Sequence, residues 1–434
     1  MVYSNLISVN LSEHAGIVLR DYRNTLCFFI LSSAWVRLHF NHSYNYMDHG
    51  CNQEKRCEEM KRRSLRKIIL AAILFFVTIS LTGCWDVKEI NRRGIADSIL
   101  FDIGDSSLFK MGVSMPIPGT QIPPVAGTSQ QFHKRHYTIS GEGLSVLAAW
   151  TEVKSNSARD IFFGQVRAII ISEEAARKNI NDILDFVGRV PLLPPNTNIL
   201  ITKQDPAETL DFKNVENFIP GDYVDFYFQT TDKRTLALPI NLWRLNSMLD
   251  KNWQDPYLPI IELKEDTYRI AGTAVFSGSR MAGELDKDET QTLALIKGTD
   301  SGFLNFSTDK GIIVSLYKVK SKTKIEPTIS DDGKIIFNLK TKIAGGIVES
   351  QPHREITINE KKKIEEEAAR LTKIKMENVL SRLQKMNSDP VGLGGKYRIK
   401  YPREWQEIDW RQVYPTVNFI VDTEFSIKST GLFR

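Results

Sequence analysis

Residues 162–210 read FFGQVRAIIISEEAARKNINDILDFVGRVPLLPPNTNILITKQDPAETL, and this stretch decides the fold. Val166–Ile171 is an apolar, β-branched run with the character of a buried strand, and Ser172 stands where a helix N-cap would, ahead of Glu173–Lys178. Ile180–Val187 has the spacing of a further helix, closed by Gly188 and Pro191. Thr197–Thr202 is a second strand, and Asp205-Pro206 opens a third helix with a cap and a proline at its first position. Strand, helix, strand, helix in this order predicts an α/β layer with the helices over the strands.

Upstream of this layer, Gly94–Ile103 and Leu108–Pro116 read as a hairpin turning at residues 104–107. Thr120–Gln131, rich in Pro, Gly, Ser and Gln, reads as an exposed loop, Lys134–Ser140 as a strand and Leu144–Lys154 as a helix. Further upstream still, Met60–Glu89 (MKRRSLRKIILAAILFFVTISLTGCWDVKE) has the three-part layout of an export signal. Lys61, Arg62, Arg63, Arg66 and Lys67 form the basic part, and Ile68–Ile79 the apolar part. That apolar run of about a dozen residues is shorter than the roughly 20 needed to span a hydrocarbon core. Leu81-Thr82-Gly83-Cys84 resembles the bacterial lipobox, in which the cysteine takes a diacylglycerol before cleavage, so Cys84 is expected to be the lipid-bearing first residue of the mature protein. Residues 1–59 precede a signal that acts from an extreme N-terminus and are read as an upstream extension, disordered and with its start codon misassigned.

This boundary changes the composition that matters. The whole chain carries a formal charge of +5, but residues 1–59 hold 5 basic and 6 acidic residues and 60–83 hold 5 basic ones, leaving 47 basic against 46 acidic. A near-neutral mature chain gives no reason to expect nucleic acid as a partner. Cys27, Cys51 and Cys57 all lie upstream, so the mature chain has only Cys84 and no internal disulfide.

Downstream, 211–268 is expected to form a small middle domain, aromatic and irregular to Lys233, with a short helix Leu242–Leu249 capped by Asn241 and a strand Leu258–Leu263. Tyr268–Phe276 reads as a strand, and Asp286-x-x-Glu289 as a capping box for a helix through Ile296. Ile312–Lys320, Lys322–Ile329 and Lys334–Ile343 are strands, the last two joined as a hairpin across Asp331-Asp332-Gly333. Asn359 is expected to cap a helix running to about Met386, with Ile364, Ala368, Leu371, Val379 and Leu383 along one side and Asp389-Pro390 as its stop. A short helix over Trp405–Val413 and a final strand through Val417, Phe419, Val421, Phe425 and Ile427 complete the pattern. The predicted fold class is therefore α+β, a three-domain mixed α/β lipoprotein ectodomain (84–210, 211–268, 269–434) whose C-terminal antiparallel sheet carries one long helix.

No motif in the mature region has the spacing of an active site: G-x-S-x-G, the P-loop, H-E-x-x-H and G-x-G-x-x-G are all missing. The upstream His39, His42, His49, Cys51 and Cys57 fit no closed zinc pattern, and His133 and His136 read as a solvated pair. Gly392-Leu393-Gly394-Gly395 reads as a turn, since it follows a helix and no helix is placed after it. These readings predict no catalytic residues, no metal and no cofactor.

Several short signatures recur in order through the mature chain. They are Cys84-Trp85-Asp86 with Glu89; Arg159–Arg167, containing Phe162, Phe163, Gly164 and Arg167; Gly272–Phe276, followed by Gly283 and Glu289; and Tyr401-Pro402 with Trp405. In these the chain resembles the C subunit of spore germinant receptors, the GerAC or Ger(x)C lipoprotein family. VGLGGKY (391–397) departs from the aromatic-containing Gly-Phe-Gly type of segment expected there, and residues 1–59 have no counterpart. The resemblance implies a non-catalytic protein held by acylated Cys84 on the outer face of a bacterial membrane, the spore inner membrane. Its partners would be the A and B membrane subunits, the small-molecule germinant being bound chiefly by B. A solute-binding lipoprotein of a transporter is the alternative; it requires two similar α/β lobes around a cleft.

Overall fold

The computed structural model describes residues 54–81, 92–104, 108–117, 135–190, 193–212, 216, 218–230, 236–298, 302–308, 311–351 and 356–429. The chain divides into two compact units, residues 1–88 and 89–434. In the first, a single helix α1 spans Glu54–Leu81, beginning six residues before Met60. No helix among the described residues is long and apolar enough to cross a membrane.

The described residues of the second unit form two large sheets and one two-stranded sheet. Strands β1 (Arg93–Ile95), β2 (Ser98–Ile103), β3 (Phe109–Pro116) and β4 (His136–Gly143) lead to helix α2 (Val146–Ser155). Next come β5 (Asp160–Phe162), β6 (Ala168–Ser172), α3 (Glu173–Lys178), α4 (Asn181–Arg189), β7 (Asn198–Thr202) and α5 (Pro206–Asp211). Helices α6 (Pro220–Gln229) and α7 (Leu242–Leu249) precede β8 (Tyr257–Lys264), β9 (Thr267–Ser277) and β10 (Arg280–Leu285). These strands form one eight-stranded sheet in the order β10-β9-β8-β7-β6-β2-β3-β4, with β1 and β5 paired separately. Residues on either side of the expected boundaries at 210/211 and 268/269 lie in this one sheet and its covering helices.

Its centre, β2-β6-β7-β8, is parallel, and antiparallel hairpins flank it on both sides. The apolar runs follow from this geometry, because a parallel strand covered by helices needs apolar side chains on both faces. Alternation along the strands makes the division: Ile169, Ile171, Ile199 and Ile201 pack with α2, α3 and α4, whereas Ala168, Ile170 and Leu200 pack with Leu210 of α5 and Val224 and Phe228 of α6. The expected caps are present, with Ser172, Asp205 and Asn241 each accepting a backbone N–H of the following helix.

The second sheet follows α8 (Lys287–Ile296), whose capping box joins Asp286 and Glu289 as predicted. It contains β11 (Leu304–Ser307), β12 (Ile313–Ile329) and β13 (Ile335–Gln351), then helix α9 (Ile358–Lys385) and, after the connecting segment, β14 (Asn418–Ser429), in the order β11-β12-β13-β14. The two strands expected within 312–329 are one strand, bent by a bulge between Tyr317 and Lys320 where Lys318 takes φ +52°. The three earlier strands are antiparallel as expected, but β14 joins β13 in parallel. The cause is α9, which at about 1.5 Å per residue carries the chain back along the whole sheet, so the next strand restarts at the same end. Ile364, Ala368, Thr372, Met376, Val379, Leu380 and Leu383 form its buried stripe, with Leu371 at the margin. Its cap is Thr357, not Asn359: Thr357 and Glu360 satisfy each other's backbone N–H, which a residue already inside the first turn cannot do.

Candidate functional site

The glycine-rich segment after α9 is not a free turn. Asp389 is buried, and its carboxylate accepts from the N–H groups of Gly392 (2.8 Å), Leu393 (3.0 Å) and Gly394 (2.9 Å) and from the indole of Trp410 (3.2 Å). Those amides begin helix α10 (Leu393–Lys400), so a carboxylate occupies the N-terminal end where the sequence suggested no helix. Gly392 supplies the left-handed backbone at φ +83°; a Cβ on Gly394 would lie 2.6 Å from the Trp410 indole nitrogen.

A second Asp-Pro pair completes the joint. Asp389 N–H donates to Asp255 Oδ2 (2.8 Å), and Asp255 N–H donates to the Asp389 carbonyl (2.9 Å). Asp255 Oδ1 accepts from Gly278 N–H (2.7 Å) and Arg411 (3.2 Å), and Arg411 also donates to the Ser277 hydroxyl. Lys297, at the end of α8, donates to the Pro390 carbonyl (2.7 Å) beneath the face of Tyr257 (4.7 Å). The ends of β8 and β9 are thereby bolted to the segment between α9 and β14. Burial, reinforced by Asp255, lifts the Asp389 carboxyl to about 6 against the opposing pull of its N–H donors. Burial and then Arg244 lower the Lys297 ammonium to about 8.

Aromatic rings close over this joint. Tyr397 stacks on Trp410 (6.3 Å, 18° between planes), flanked by Tyr401 and Trp405, while Arg398 lies 3.9 Å over Trp253. The predicted Tyr401 and Trp405 are thus half-buried packing residues of one cluster, and Pro402 is exposed beside them.

The other predicted residues fall in two further joints. Gly272 takes φ +132° and passes so close to the Leu285 carbonyl that a Cβ would lie 2.4 Å from it, a position only glycine fits. Glu289 closes its capping box and also receives Arg382 of α9 at 2.5 and 2.6 Å, while Arg382 donates to the Glu284 carbonyl. Near the first strands, Phe162 carries the Arg93 guanidinium on its ring at 4.9 Å and leaves no room for a side chain on Gly164. Phe163 is buried against Trp150, their centroids 4.8 Å apart. Arg167 bridges Asp222 of α6 and buried Asp97, whose Oδ2 also accepts from Ser98 (2.6 Å) and Gly221 N–H (2.8 Å). Leu81 ends α1, whereas Thr82, Gly83, Cys84, Trp85, Asp86 and Glu89 lie outside the described residues.

Sequence reading missed Asp97, Asp255, Asp389 and Lys297. The one available signal was Asp389-Pro390, read only as the stop of the long helix. His136 is a correction: it is 4 % exposed and its ring bonds the Leu210 carbonyl at 2.8 Å, while His133 lies outside the described residues. Among the described residues no group of His, Cys, Asp and Glu is placed to hold a metal. Chemically these joints connect elements: Asp389 is surrounded by donors and Lys297 is engaged by a carbonyl and a ring.

A mixed α/β body of two joined sheets, with its singular polar groups locked into connections between elements, defines the class. The chain belongs to the GerAC family of spore germination proteins: residues 86–263 match the spore germination protein N-terminal domain, and 271–431 match the spore germination B3/GerAC-like C-terminal domain. It is 23% identical over 373 residues to spore germination protein B3 of Bacillus subtilis (83% of this chain, 97% of that one). It is 22% identical over 368 residues to spore germination protein GerQC of Bacillus cereus (83% and 98%). The crystal structure of the GerBC protein has the same fold, with a TM-score of 0.50 and 21% identity over 79% of this chain and 100% of that one.

Proposed function

We propose that the chain is a membrane-anchored, non-catalytic C subunit of a spore germinant receptor, needed for the complex to assemble or signal. The observation that carries this reading is continuity: the family match runs from residue 86 to 431 in order and begins two residues after Cys84. In this reading Cys84 carries the lipid, the A and B membrane subunits are the partners, and the germinant binds a partner. Eight residues separate Cys84 from Arg93, the first residue of β1, so at about 3.3–3.6 Å per step β1 can begin no more than roughly 30 Å from the lipid-bearing residue. A single acyl chain binds a bilayer marginally, and two or three hold it stably. The two sheets differ in strand number and order, which argues against the two similar lobes of a solute-binding lipoprotein.

The test is expression of the full chain and of Cys84→Ala in a sporulating host. The wild type should incorporate labelled palmitate, begin at Cys84 by mass spectrometry and restore germination; the variant should lose all three. A functional wild-type product with an unmodified thiol at residue 84 would overturn the reading.

A further inference from the structure

We propose that the edge of the body formed by the parallel pair β1–β5, carrying Arg92, Arg93, Arg135 and Arg159, is a membrane-docking surface that binds anionic lipid headgroups. The inference rests on the lipid anchor at Cys84 and adds an orientation to it. Parallel pairing sets Arg93 opposite Asp160, Gly94 opposite Ile161 and Ile95 opposite Phe162, so both strands begin at the same end. The first described residues of the body, Arg92 and Arg93, therefore lie at the Arg159 end of the pair, and a Cβ on Gly94 would lie 3.6 Å from that of Arg159. The same Cβ position is 2.7 Å from Met115 Sδ and 3.9 Å from the Tyr137 hydroxyl, which brings the β3–β4 end to this edge. There Ile117 N–H donates to the Arg135 carbonyl at 2.7 Å.

Among the described residues the charge at this edge is mostly basic. Arg92 and Arg159 are exposed and Arg93 and Arg135 half-exposed, whereas β1 and β5 together contain one carboxylate, Asp160. Among the described residues no carboxylate forms an ion pair with Arg135 or Arg159. Arg93 rests on the Phe162 ring, which leaves its guanidinium charge unneutralised. Ile95, 40 % exposed, adds an apolar contact between them. The mature chain is nearly neutral overall, so a local clustering of arginines at this edge, of which Arg135 and Arg159 pair with no carboxylate among the described residues, departs from the average surface. Because the tether is short, these arginines are held within reach of the headgroups, where clustered basic side chains bind anionic lipid. The neighbouring Arg167 is excluded, since Asp97 and Asp222 already hold it.

The test uses the full, lipid-processed chain. Cys84 is acylated and no other cysteine remains after processing, so Ala158→Cys offers a single thiol for an environment-sensitive fluorophore beside Arg159. The protein is reconstituted in phosphatidylcholine vesicles with or without phosphatidylglycerol, together with a headgroup-attached quencher. Quenching should be strong in the anionic vesicles, weak in the neutral ones and reversed by high salt. Arg135→Ala and Arg159→Ala should each lower the docked-to-undocked ratio roughly fivefold. Equal quenching in both vesicle types, or quenching unchanged in the double variant, would overturn the proposal, as would restoration of quenching in neutral vesicles by an acidic partner protein. Protein that fails to co-float with any vesicle would instead count against the anchor.

Discussion

Two buried aspartates organise opposite parts of the body, and they are served very differently. Asp389, between the two sheets, has a donor on every side: three backbone N–H groups and an indole. Asp97, at the start of the eight-stranded sheet, has Ser98 and Gly221 on one oxygen, while the other accepts no hydrogen bond and has only Arg167 at 3.5 Å. Burial raises the carboxyl of both above the ordinary 3.8. The difference teaches that burial alone does not make an ionisable group a fixture; the number of donors aimed at it does. The first aspartate is a bolt, and the second is a joint whose outer half, Arg167, remains 44 % exposed to water.

The largest expected effect comes from breaking the bolt. Asp389→Asn puts an amide NH₂ in place of one carboxylate oxygen and so leaves the two donors on that oxygen without an acceptor; each unsatisfied buried donor costs about 1–3 kcal/mol, so a loss of about 2–5 kcal/mol is expected in denaturant unfolding. A loss below 1 kcal/mol would show that the donors find water instead.

The next effect is pH-dependent. The folded-state value for Asp389, about 6, lies above its ordinary 3.8, so between these limits the folded protein holds a proton that the unfolded chain has released. Stability contributed by this group is therefore full below pH 4 and is lost as pH rises through 6, a change of about 3 kcal/mol. Unfolding curves of wild type and Asp389→Asn should diverge as pH falls from 7 to 4. Parallel profiles would remove Asp389 as the titrating group.

The smallest effect sharpens the contrast. Asp97→Asn keeps an acceptor for Gly221, can still bond Ser98, and removes a charge that is incompletely paired, so stability should change by less than about 1 kcal/mol. If Asp97→Asn is as damaging as Asp389→Asn, the distinction between bolt and joint fails.

Much of this molecule was legible beforehand where one short segment decided its own fate. Ser172, Asp205 and Asn241 cap helices because their side chains reach amides two or three residues on, and Asp286 with Glu289 does the same reciprocally. The buried character of the central strand showed in its apolar run, Val166–Ile171. The site was less legible because its groups are far apart in the chain: Asp255 meets Asp389 across 134 residues, and Arg382 meets Glu289 across 93. His136 was misread for the same reason, its partner Leu210 lying 74 residues away.

By itself the sequence determined most of the strands and helices, the caps at Ser172, Asp205, Asn241 and Asp286, and the family, since periodicity, capping and motif spacing are local properties of the chain. Only the tertiary structure decided that β14 returns in parallel, that the glycines after Asp389 form a carboxylate-filled helix start, and that Arg92, Arg93, Arg135 and Arg159 share one edge. These depend on long-range pairing and on burial, which set the dielectric and the hydrogen-bond partners of each group and which no window of neighbouring residues contains.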